Sequence, residues 1–398
     1  MGPRARRALR LAHRFYEEQR RIFETVAASR RSVRLTPQAS PRGTVLFSYL
    51  LDPFVLPSGQ PLPATHTNLW ESWCIAQTFL ERGYAVDVVS FANYAYVVRR
   101  RYDVLVSLRT NLEKLAVQVD EQCVKILHAD VAHVLFHNAA EANRLLALQQ
   151  RRGVTLPPRR HSPPNLAIEH ADCATVLGNA FTLGTYDYAK KPLRRIHISA
   201  VALQPAPGEK DFDVARKRFL WLSSGGFVHK GLDLVLEAFA GLPELELMIA
   251  APLEQEPDFV AAFDRELHLT PNISTIGWVD VASEAFAELA RTCVATVYPS
   301  SSEGVSGGVV ACLHVGLIPI VTREAGVDVD GFGTVLPAAT VEEVRAAVLE
   351  VAQAPVEELR ARTQAAWEFA RENHTRERFA EDYRRAVDEL VPAAAPEA

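Results

Sequence analysis

The sequence predicts an α/β protein of two doubly wound domains facing each other, with an extra helix at each end. Short apolar, β-branched runs alternate with longer amphipathic stretches almost throughout, which is the rhythm of βαβ units and parallel sheets. That rhythm pauses at a polar, proline-bearing stretch, Pro205 to Asp213, and then restarts. The length of 398 residues is that of two domains.

Taken in order, residues 1–40 read as a basic helical extension. Residues 41–203 read as the first domain, with strands over 44–49, 84–90, 102–108, 123–128, 173–177 and 196–199, and helices over 67–82 and 139–152. Gly83 closes the first helix. Residues 214–374 read as the second domain. Its strands are expected over 218–223, 246–250, 273–276, 293–298, 317–322 and 333–336. Its helices are expected over 232–241, 257–267, 282–291, 307–315, 341–352 and 355–373. Residues 375–398 read as a last helix and a tail. The cleft between the domains is expected at the carboxyl ends of both sheets, where such folds bind ligands.

Composition narrows the function. Hydrophobic residues at 48% and charged residues at 23% are those of a globular protein, and a net charge of −5 argues against a nucleic-acid binder. Arginines concentrate in the first thirty residues and again at Arg151, Arg152, Arg159 and Arg160. They read either as solvated surface or as contact with an anionic membrane or acceptor. The five cysteines form no CxxC and read as reduced thiols of a cytoplasmic protein. The basic start lacks the apolar run and cleavage site of a secretory signal. No stretch approaches the ~20 apolar residues that span a bilayer. The placement expected is therefore cytoplasmic, with peripheral contact at the inner membrane face.

Two segments carry chemistry. In the first, Trp221 to Phe239, a strand runs into Gly225-Gly226 and then His229-Lys230-Gly231 before a helix. Glycines let backbone approach a ligand, and a helix start attracts anions. Lys230 could neutralise a diphosphate there; the plainer alternative is a connection with a solvated lysine. In the second, Tyr298 to Pro319, a strand ends in serines, Glu303 follows, and Ser306-Gly307-Gly308 opens a helix whose N–H groups suit phosphate oxygens. Glu303 suits sugar hydroxyls, or alternatively favours the helix dipole.

Together, Lys-Gly at one helix start and the PSxxEG…GG…G-x-P-x-V pattern some 70 residues on resemble the retaining GT-B glycosyltransferases of the group 1, or GT4-like, class. The resemblance covers Phe219 to about Asn373. It implies two Rossmann-like domains, a nucleotide-sugar donor and a glycan or glycolipid acceptor. It implies that Lys230 contacts the donor diphosphate, Glu303 the transferred sugar and the Ser306–Gly308 backbone the phosphates. Gly225, Gly226, Gly277 and Trp278 would also border the donor, with no metal or other cofactor. Two positions depart from the class: Gly225 stands where an arginine is usual, and Ala311 where a ribose-holding glutamate is usual.

The class often has a histidine at a strand mouth of the first domain, and His128 and His133 stand there, the latter on a helix expected from about Asp130. Asn179 after a strand, and Thr65 and His66 opening the first helix, are expected at the acceptor side or cleft. Asp328-Val329-Asp330 reads as a surface loop rather than a metal motif. The rival readings are a GT-B protein doing other sugar-nucleotide chemistry such as epimerisation, for which no extra acid/base carboxylates are apparent, and a binding or scaffolding subunit that has lost catalysis. Sugar-nucleotide binding without transfer would single out the last.

Overall fold

The computed structural model describes residues 31–392, apart from 58, 61, 63–65, 205, 208–209 and 330. The arginine-rich residues 1–30, Thr65, Asp330 and the tail from 393 lie outside the described residues.

The first sheet is built from β1 (Ser32–Leu35), β2 (Gly43–Tyr49), β3 (Tyr84–Ser90), β4 (Val104–Ser107), β5 (Val124–Ala129), β6 (Cys173–Leu177) and β7 (Leu193–Ile196), in the order β1-β3-β2-β4-β5-β6-β7. All neighbours are parallel except β1, which runs antiparallel to β3 at the edge. Residues 32–35 are thus a strand, not part of the helical extension expected over 1–40. The short alternating run SVRL is too brief to stand out from a basic context. Likewise β7 ends at Ile196, where the sequence reading began its strand.

The second sheet comprises β8 (Arg218–Leu222), β9 (Glu246–Ala250), β10 (Ile273–Thr275), β11 (Ala295–Tyr298), β12 (Ile318–Thr322) and β13 (Thr334–Leu336), all parallel, in the order β10-β9-β8-β11-β12-β13. That is the doubly wound order, and it reverses between β8 and β11. Strands such as β12, IPIVT, are buried throughout because helices cover both faces of the sheet.

Five helices position the site. α1 (Thr67–Glu81) and α2 (Arg109–Ala116) follow β2 and β4, and α3 (Val134–Arg152) follows β5. α4 (Leu232–Ala240) follows β8, and α5 (Gly307–Leu313) follows β11. The helix expected over 257–267 is two short ones, Pro257–Ala262 and Asp264–His268, broken at fully buried Phe263. The last helix, α6 (Arg376–Leu390), crosses back to the first domain. Phe379, Tyr383 and Val387 sit in the first domain's core, and Trp70 of α1 meets Phe379 edge-on at 5.9 Å.

The arginines at 151, 152 and 159 remain partly exposed but are paired with second-domain carboxylates. Arg151 lies 2.6 Å from Asp233 and 3.2 Å from Glu237, Arg152 2.7 Å from Glu266, and Arg159 2.6 Å from Asp258. Arg144, itself buried, donates to the Pro299 carbonyl at 2.9 Å. One side of α3 and the loop after it thereby clamp the first domain to the second.

Candidate active site at the interdomain cleft

β8 and β11 flank the switch point of the second sheet, so their loops diverge and leave a crevice. Both sequence motifs are those loops. They line one open cleft with about 240 Å³ of free space, bordered by Lys230, Glu303, Ser306, Gly307 and Gly308. His66, Thr67 and Ser199–Ala202 form the opposite wall.

Each motif residue is placed by local geometry. Gly231 has φ +81°, and a Cβ there would meet the Pro299 carbonyl oxygen at 2.5 Å, so the residue after Lys230 must be glycine. The Trp221 indole donates to the Lys230 carbonyl at 3.4 Å. On the other loop, the Ser306 hydroxyl accepts from the Val309 N–H at 3.3 Å and caps α5. The N–H groups of Gly307 and Gly308, in the first turn, have no intrahelical acceptor and border the cleft. Glu303 accepts from the Tyr298 hydroxyl at 3.1 Å.

Electrostatics tie the loops together. Burial drives the Lys230 ammonium below its usual range, and Glu303 pulls against that shift. Burial pushes Glu303 upward, but Lys230 and its cationic neighbours outweigh it and leave the carboxyl below its ordinary range. A buried carboxylate and a buried amine thus each favour the other's charged form against burial.

Behind Glu303 sit two histidines that the sequence reading passed over. The His229 Nε2–H donates to the Ser302 carbonyl at 2.6 Å. The His137 Nε2–H donates to the Arg160 carbonyl at 2.7 Å, which leaves its Nδ1 to accept from the Ser302 hydroxyl at 3.0 Å. Both rings are kept neutral by burial. Helical spacing on α3 could have suggested His137, but nothing local points to Ser302.

Other expected residues lie elsewhere. His128 does not reach the cleft: it is buried under the first sheet, with Nδ1 2.9 Å from Thr175 and its ring against Tyr49 and Tyr383. His133 caps α3, which starts at Val134 rather than near Asp130, and borders a separate apolar hollow where its Nε2 lies 3.0 Å from the Tyr188 hydroxyl. The pleat of β5 turns the His128 ring into the core, and capping of α3 holds the His133 ring at the helix start. Gly225 and Gly226 do not line the cleft either. Glu256 covers their turn, taking the Gly226 N–H at 2.5 Å. Asn179 caps its own helix and donates to the Arg323 carbonyl at 3.0 Å, joining the domains. Trp278 lines the cleft and is 61% exposed, whereas Gly277 only shapes the turn before it, with φ +75°. Ala311 lines the cleft beside buried His314, whose Nε2–H donates to the His374 carbonyl at 2.9 Å. Asp328 is 2.5 Å from Arg195.

The first-domain wall rests on Glu71 of α1. Fully buried, it accepts from both the Ser199 N–H and the Ser199 hydroxyl at 2.9 Å, and so holds the segment after β7 against the cleft. Burial raises its pKa from 4.5 to about 7 despite those donors. The folded value exceeds the unfolded one, so this stabilisation is complete below about pH 4.5 and is lost as pH rises through 7. It amounts to about 3 kcal/mol. The melting temperature of Glu71→Gln relative to the unaltered chain is expected to rise steadily between pH 5 and 8. A difference that stays flat across that range would show Glu71 to be ionised in the fold.

Residues 216–354 match the family model described as glycosyl transferases group 1. Among solved structures, the chain is similar to sucrose-phosphate synthase from Thermosynechococcus elongatus, at 14% identity and a TM-score of 0.60, covering 88% of this chain and 99% of that one. It is also similar to Anabaena HepE in complex with UDP-glucose, at 12% identity and a TM-score of 0.53, covering 87% and 100%. No curated protein matches. At these identities the structural likeness concerns the fold, which is GT-B.

Proposed function

With residues 216–354 forming a group 1 glycosyltransferase domain inside a GT-B fold, we propose that this chain moves a sugar from a nucleotide-sugar donor to a glycan or glycolipid, with retention at the anomeric carbon. Cell-envelope or polysaccharide synthesis is the setting proposed. The observation that carries the reading is the meeting of Lys230, Glu303 and the Gly307–Gly308 helix start in one crevice at the switch point. The UDP-glucose bound by HepE supports a nucleotide-sugar donor.

In glycosyl transfer the nucleoside diphosphate leaves with its negative charge while the anomeric carbon becomes positive. The Lys230 ammonium and the amides of Gly307 and Gly308 take the phosphate oxygens, already oriented and partly shielded from water. Such fixed donors are each worth about 3 kcal/mol of barrier. Glu303, kept anionic, orients sugar hydroxyls and faces the developing positive charge. Trp278 offers the nucleobase an aromatic face, and no metal is required. The acceptor enters beside His66 and Thr67. The arginines of residues 1–30 would hold the enzyme at an anionic membrane surface carrying a glycolipid.

A thermal-shift screen of UDP-, GDP- and ADP-sugars tests the donor site. A ligand at 100 times its Kd adds about 2.7 kcal/mol of stability. Release of the nucleoside diphosphate on adding glycan or glycolipid acceptors then tests transfer. Stabilisation without release would favour a binding subunit, and no stabilisation by any donor would overturn the reading.

A further inference from the structure

One outer face of the first domain carries side chains that neither the cleft nor the domain clamp uses. Residues 91–101 follow β3 and lie along α2. The Val98 N–H donates to the Gln118 side chain at 3.0 Å, and the Lys114 ammonium sits 4.7 Å over the Tyr94 ring. Loop and helix therefore present one surface. On it Tyr94 is 50% exposed, Val97 59% and Val117 70%. Exposed apolar residues scattered singly are ordinary, whereas a group of them marks a binding surface.

Cations border this group. Arg99, Arg100 and Arg101 are consecutive, and all three are exposed. Arg100 reaches Asp87 at 3.5 Å, which Arg34 already meets at 3.2 Å, and Arg101 reaches Asp120 at 2.7 Å. Among the described residues, Arg99 and Lys114 have no carboxylate partner. On the other flank of α2, the Glu113 carboxylate accepts from the Leu166 N–H at 2.9 Å. There Leu135, Leu166 and Tyr188 border the apolar hollow beside His133, which has about 520 Å³ of free space. The carboxylates of that hollow, Glu113 and Glu169, confine anionic groups to the arginine flank.

We propose that this face docks on an anionic lipid bilayer, with Tyr94, Val97 and Val117 entering the interface and Arg99, Arg100, Arg101 and Lys114 taking lipid phosphates. Tyrosine beside apolar side chains suits the headgroup level, where its ring is covered and its hydroxyl stays wet. Cations rimming such a group add about 1 kcal/mol each at an anionic surface. The described chain also begins here. Ser32 pairs with Val89, two residues before the loop, so the arginine-rich residues 1–30 join the fold at this face. α2 starts at the carboxyl edge of its sheet, the edge on which the cleft opens, so a docked bilayer lies on the acceptor side. The proposal goes beyond the transfer reaction and does not depend on it.

Vesicle flotation of the full chain is the test, with phosphatidylcholine alone and with an equal mixture of phosphatidylcholine and phosphatidylglycerol. The chain is expected to float with the mixed vesicles only. Arg99→Gln combined with Lys114→Gln should lower that partition about tenfold or more. Tyr94→Ser combined with Val97→Ser should lower it too, whereas Leu269→Ser, at an exposed site of the second domain, should not. The five native cysteines are buried, so an environment-sensitive dye on Val97→Cys reports the contact directly. Its emission should move to the blue with mixed vesicles, and that of the same dye on Leu269→Cys should stay put. Equal flotation of the Arg99, Lys114 variant and the unaltered chain, or a silent dye at position 97, would overturn the proposal. Retention on heparin without flotation would overturn it in favour of an acidic macromolecule. No donor is present in these measurements, so either this proposal or the donor reading can fail alone.

Discussion

Replacing Lys230 with alanine should lower turnover about 100-fold or more and also lower the melting temperature. Burial penalises this amine, but removing it leaves the buried Glu303 carboxylate without its leading cationic partner, a change that costs about 3 kcal/mol or more when the carboxylate stays charged. The rate falls for a separate reason, because the lysine's favourable interaction grows as charge collects on the leaving phosphates. A second readout separates this from a general disturbance. Glu303 is held below its ordinary range chiefly by Lys230 acting against burial. Without the lysine its pKa rises, so the acid limb of the residual activity should move to higher pH. An unchanged kcat would remove Lys230 from the mechanism. A lost kcat with an unmoved acid limb would uncouple it from Glu303.

Replacing Gly231 with alanine is expected to have the largest effect on stability. Two costs add there. A left-handed backbone with a Cβ costs about 1–2 kcal/mol. The new Cβ would also meet the Pro299 carbonyl oxygen at 2.5 Å and its Cγ at 2.6 Å. Pro299 cannot retreat easily, since Arg144 of the first domain holds the same oxygen. The sum is about 4 kcal/mol or more, with activity lost as Lys230 is displaced. Gly153 supplies the control: it has φ +67° and nothing within 4 Å of an added Cβ, so Gly153→Ala should cost only the backbone part. Equal melting temperatures for the two variants would show that the Pro299 contact yields.

The rhythm of buried parallel strands and covering helices was readable along the chain because it is written locally. A strand covered on both faces must be apolar throughout, as in IPIVT, and a connection that enters its helix through a left-handed residue needs glycine, as at Gly231. The same locality exposed Lys230, Glu303 and Ser306–Gly308, since each lies within ten residues of a strand end. Boundaries drifted where signals were weak, as at β1 and β7, and the break at Phe263 left no local mark because the residue is apolar like its neighbours.

What the sequence by itself determined was this βαβ order and the two loops that carry the candidate chemistry. Only the tertiary structure decided which side chains from the other domain meet those loops. It turned His128 into the core and His133 into a separate hollow, and it set His137 against Ser302, the residue before Glu303. It also gave Arg151, Arg152 and Arg159 to carboxylates 82 to 114 residues away. The physical reason is that backbone conformation is a property of a few consecutive residues, whereas the direction of a side chain at a domain boundary depends on how two separately formed sheets dock.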